Sequence, residues 1–97
     1  MSRALIERRL TESSDRLREA RSELSVVDEH LAHLQRDAEE ARLRSLVSET
    51  PLAEHEHREA ARHADAMARQ RAAVIQEIER LERVQDELLD RLIATTR

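Results

Sequence analysis

The chain has 97 residues, 39% of them charged, and a formal net charge of -4 at neutral pH. It has no Gly, no Cys, no Phe, Tyr or Trp and a single Pro, which excludes disulfide and thiol chemistry and removes most of what sheet proteins use for turns and strands. A net acidic chain without aromatic platforms is poorly suited to grip a phosphate backbone, so no nucleic-acid partner is expected.

Ala, Leu, Glu, Arg and Gln dominate, and all are good helix formers. All 17 basic residues are Arg. The first 23 residues carry six Arg and five acidic residues, so even the most basic stretch nearly cancels. Mean hydropathy is -0.75, a value shared with disordered chains, so periodicity has to decide between helix and disorder. No apolar run approaches the roughly 18 residues of a membrane span, and Met1-Ser2-Arg3 is not followed by an apolar signal-peptide core. A single domain over residues 1–97, a cytoplasmic location and no membrane partner are expected.

The first predicted element is a helix over about residues 3–47. Leu10, Leu17, Leu24, Leu31 and Ala38 recur every seventh residue and form one row, position a of a heptad lettered a to g. Ile6, Ala20, Val27, Leu34 and Ala41 form the d row, with Ser13 as its polar member. Steps of three and four in alternation are the seam of a coiled coil.

A turn follows at about residues 48–51. Pro51 suits the first position of a helix, where its missing N–H is harmless, and it pushes Thr50 out of helical angles. Thr50 is the expected N-cap, and Glu54 and Glu56 suit the positive end of the second helix's dipole.

The second helix is predicted over about residues 51–95. Its d row is Ala53, Ala60, Met67, Val74, Leu81 and Leu88, and its a row is His57, Ala64, Arg71, Ile78, Gln85 and Leu92. At 1.5 Å per residue each helix would run about 67 Å. Folded back, Ile6 pairs with Leu92, Leu17 with Leu81, Ala20 with Ile78 and Leu34 with Ala64, an a always meeting a d. The fold class expected is therefore all-α: a long antiparallel coiled-coil helical hairpin of two helices. The same layers form between chains if the hairpin opens at Ser48–Pro51 and swaps. Ser13 is expected to meet Gln85, and Ala41 to meet His57. Together with Arg71 opposite Val27, these are the register-setting polar layers, since a polar residue in an apolar seam specifies alignment at a cost in stability. Arg71 is expected to reach for Glu23, Glu77 or a second chain. Flanking pairs Arg44–Glu56, Arg42–Glu54 and Asp37–His63 are also expected. Leucines fill the seam near the termini and alanines near the turn, which predicts a thinner neck there.

Helix two has apolar residues beyond its seam: Ala61, Ala68, Ile75 and Leu89 at e, and Val84 at g. A two-helix hairpin buries only one side of each helix, so these five are the expected dimer face, packing two hairpins into a four-helix bundle. Helix one adds Leu5 and Val26, and Leu43, Leu46 and Val47 just before the turn. With Leu52, the last three form the expected partner-binding cluster at the tip.

The chemistry-bearing candidates are the histidines and neighbouring glutamates. Glu54 and His57 have the Glu-x-x-His spacing of di-iron bundles, which puts both on one helix face; His30 and His63 flank the same stretch of seam. No inward Glu of helix one faces His57, so no metal, cofactor or catalytic residue is expected. There is no phosphate-binding Gly-rich loop and no nucleophile elbow, and an enzyme is not expected. By shape, a long hairpin with a polar tip is similar to the coiled-coil arms of Gre-class transcript-cleavage factors and to the stalk hairpins of export chaperones. The first likeness implies an RNA polymerase-associated factor with acidic tip residues, for which Glu49 alone stands here. The function expected is a structural or adaptor protein that associates with itself and binds another protein, with a metal-binding bundle and a polymerase- or ribosome-associated hairpin as alternatives.

Overall fold

The computed structural model describes residues 1–96. It contains two helices, α1 over Arg3–Ser48 and α2 over Pro51–Thr95, joined by Glu49 and Thr50 alone. The protein is a helical hairpin.

The helix ends follow from local chemistry. Ser2 caps α1, its Oγ accepting from the Leu5 N–H at 3.2 Å. The end of α1 is set by Glu49, which adopts φ 49° and donates its N–H to the Ser45 carbonyl at 3.1 Å. This is a left-handed C-terminal cap, a place where glycine is usual because it has no Cβ. Thr50 then caps α2, its Oγ1 accepting from the Ala53 N–H at 3.1 Å. The break thus needs no glycine, but it holds one side chain in a backbone conformation that costs about 1 kcal/mol.

By contacts the chain divides into two compact units: a terminal unit of Met1–Leu24 and Val74–Arg97, and a turn unit of Ser25–Ala73. In the terminal unit the core is Leu17, Ala20 and Leu81, with Ile78 packed against it. Leu17 with Leu81 and Ala20 with Ile78 satisfy the antiparallel a-to-d register. Ile6, Val74 and Leu88 are buried here too, Ile6 to 1% exposure. In the turn unit the buried side chains are Val27 and the small Ala41, Ala53 and Ala64.

Every a and d residue of either helix is buried or half-buried. The two rows are not equal, however. Most d residues are buried, whereas of the a residues only Leu17 and Ala64 are. The d rows therefore lie at the centre of the helix–helix contact, and the a rows at its edge, beside position e.

Candidate partner-binding surfaces

The apolar cluster before the turn stands in solvent. Leu43 is 50% exposed, Leu46 60% and Val47 86%, and Leu52 at the start of α2 is 66% exposed. Leu43, Leu46 and Val47 are neighbours on one face of α1, because residues three and four apart on a helix lie side by side. None of the four is part of the buried core.

All five histidines lie in the turn unit. His33 Nε2 is 3.4 Å from Asp37 and His55 Nε2 is 4.0 Å from Glu59, each pair one turn apart on its own helix. Glu59 also pairs with Arg62. His57 is half-buried on the seam, while His30, His63 and Glu54 are exposed. Among the described residues no three His, Asp or Glu side chains come together where they could hold a metal ion.

The flanking pairs form differently from the sequence reading. Arg42 donates to Glu39 at 2.7 and 2.9 Å rather than reaching Glu54, and Asp37 takes His33 rather than His63. The helix itself fixes neighbours three and four apart, whereas a pair across two helices must order two long side chains in solvent for little gain. The hydrogen bond from Arg42 holds the Glu39 carboxyl below the usual carboxylate range.

The polar layers are also shifted. Gln85 Nε2 donates to Ser14 Oγ at 3.0 Å, not to Ser13. Ser13 is 5% exposed, and its hydroxyl has no hydrogen-bond partner. Arg71 pairs with Asp28 on α1, instead of Glu23 or Glu77; Glu77 is held by Arg80, one turn on, at 2.6 and 2.9 Å. In both cases the partner used sits one residue beyond the facing d residue, at position e, where a long side chain leaving the edge of the seam arrives first. Ser14 and Asp28 are the two residues that sequence reasoning missed, and the a-to-d register with its flanking e positions would have located them.

The five off-seam residues of α2 do not form one stripe. Val84 and Leu89 are five residues apart, about 140° around a helix. Ile75, half-buried, and Leu89, 43% exposed, lie on the e side in the terminal unit, and Ala61 and Ala68 hold e positions in the turn unit. Val84 lies on the g side, where it lines a groove of about 270 Å³ in the terminal unit together with Leu81, Leu88, Ser13 and the stems of Arg9 and Arg16. The dimer face expected from the sequence is thus two separate flanks.

Among the described residues neither helix is long and apolar enough to cross a membrane. No protein-family model, curated protein or solved structure matches the chain.

Proposed function

We propose that the protein is a non-enzymatic adaptor of the cytoplasm, a coiled-coil hairpin that associates with itself through helix two and presents its turn end to a protein partner. The observation that carries this reading is the exposure of Leu43, Leu46, Val47 and Leu52. Single exposed apolar residues are ordinary, but three on one helix face beside the turn form a patch of the kind that marks interaction sites. A helix presented this way is read by a partner through residues spaced three and four apart.

The test compares the tagged chain with its Leu46→Ser, Val47→Ser variant. Quantitative mass spectrometry of what co-purifies from the source cells is set beside thermal melts. The expected result is specific loss of a partner with a melting temperature within about 3 °C of the parent, since exposed side chains carry little of the fold's stability. A fall of more than about 8 °C, corresponding to more than 1 kcal/mol in a chain this size, would assign the cluster to the hairpin's own core and defeat the reading.

A further inference from the structure

The terminal unit carries a pattern of charge that the hairpin satisfies only in part by itself. The g-side groove over Leu81, Val84 and Leu88 continues past Ala20, with Arg16 and Leu81 shared between its two halves. Residues of both helices rim it, and in the antiparallel register like charges face each other across it. At one end Arg9 faces Arg91, and one turn along Glu12 faces Glu87. Next come Arg16 and Arg80, and then Glu19 and Glu23 with Glu77. The rim is therefore four bands in the order positive, negative, positive, negative, about one turn apart except between the middle two, where Glu87 and Arg80 on α2 are separated by about 10.5 Å. Among the described residues the single ion pair on this rim is Arg80 with Glu77, within α2, to which the Arg16 charge across the groove adds a weaker attraction. Charges flanking a helical seam set partner choice and orientation, and like charges face to face disfavour a hairpin that stays alone.

We propose that this flank is a self-association surface whose occupant is a second copy of the chain, laid across it antiparallel about a two-fold axis near Ser13 and Val84. Reversing a ladder of positive, negative, positive, negative gives negative, positive, negative, positive, so an antiparallel copy meets an opposite charge at all four bands. A copy laid parallel meets a like charge at all four. The reversal is what a two-fold axis crossing the helices produces, and a two-fold contact uses the same patch on both subunits. Val84, apolar and half-buried at the middle of the ladder, then packs against its own counterpart. The Ser13 hydroxyl, buried and without a partner, belongs to the same groove. This inference rests on the self-association proposed above, extends its contact from helix two to the flank that both helices rim, and is independent of the cluster beside the turn.

The test is a charge-reversal exchange followed by light scattering and native mass spectrometry on the full chain. One variant carries Arg9→Glu and Arg91→Glu, the other Glu19→Arg and Glu23→Arg. The parent is expected to be a dimer at low salt and to weaken about tenfold or more in 1 M salt, where screening is strong. Each variant alone is expected to be monomeric, because its end bands meet like charge in its own copy. An equimolar mixture is expected to form the mixed dimer and neither homodimer. Helicity by circular dichroism checks that the variants fold, and Arg9→Gln with Arg91→Gln serves as a milder pair expected to weaken the dimer about tenfold. A parent that is monomeric at about 100 μM in low salt, where a self-association tighter than that would appear, overturns the proposal. So does a dimer that both reversals leave intact, above all one broken by Ile75→Ser with Leu89→Ser, which would place the contact on the e side. Serine variants beside the turn should leave the dimer unchanged, so a failed tip and a failed groove are told apart.

Discussion

Ser13 is, among the described residues, a buried polar side chain left without a partner. It occupies a d position between Ile6 and Ala20, is 5% exposed, and has a hydroxyl without a hydrogen bond. A buried polar group left unpaired costs about 1–3 kcal/mol, and alanine is also the better helix former. Ser13→Ala is therefore expected to stabilise the fold by about 1 kcal/mol or more, raising the melting temperature by about 4–8 °C. Thermal melts at several protein concentrations check this and show whether the gain belongs to one chain or to an assembly. A lower melting temperature would mean that the hydroxyl finds an acceptor in solution. Glu49 is a second residue at odds with its position, here through its backbone, which lies in the left-handed region without being glycine.

At the scale of the element, each helix carries its own short-range ion pairs. In α2 the Arg80 hydrogen bond to Glu77 is the largest cause holding that carboxyl below its ordinary range, with the Arg80 and Arg16 charges adding to it, and Arg80 is raised in turn. A carboxyl lowered in the folded state contributes stability above its ordinary pKa and loses that contribution as the pH falls through the folded value. Glu77→Gln is accordingly expected to melt slightly below the parent at pH 7, with the gap closing as the pH drops below about 4. Paired melts across that range decide it, and a gap that persists at pH 3 would show a packing role instead. The helices themselves were legible because two apolar rows seven apart have one periodic explanation, and because Pro51, Thr50 and the lack of any other turn residue leave one place for the break. The fine structure of the seam was less so. Heptad letters treat a and d alike, while the packing buries d more deeply and moves a towards e. Gln85 and Arg71 thus had several polar neighbours within reach, and the choice among them rests on differences of a few tenths of a kcal/mol. Val84 and Leu89, expected to share one face, are separated by the helix itself, since positions g and e lie on opposite sides of the seam. The exposure of the cluster before the turn followed directly from its being off the rows.

For the whole molecule, the distribution of side-chain size along the seam has a consequence in time. The contacts nearest in sequence are those of the turn unit, where mostly alanines are buried, and the large Leu and Ile side chains are buried in the terminal unit. The entropy of closing a loop has to be met before distant contacts can repay it. Folding is then expected to zip from Glu49 and Thr50, weak contacts first and strong ones last, with slow nucleation and a finished hairpin held by its last-formed contacts. Relieving the left-handed backbone with Glu49→Gly acts on the first step. It is expected to raise the folding rate a few-fold, leaving the unfolding rate nearly unchanged, as for a residue structured in the transition state. Stopped-flow chevrons measure both limbs; a change confined to the unfolding limb would place the nucleus among the leucines. A zipper of this kind also makes the order of emergence from the ribosome matter, because α1 has to wait for almost all of α2 before its best partners exist.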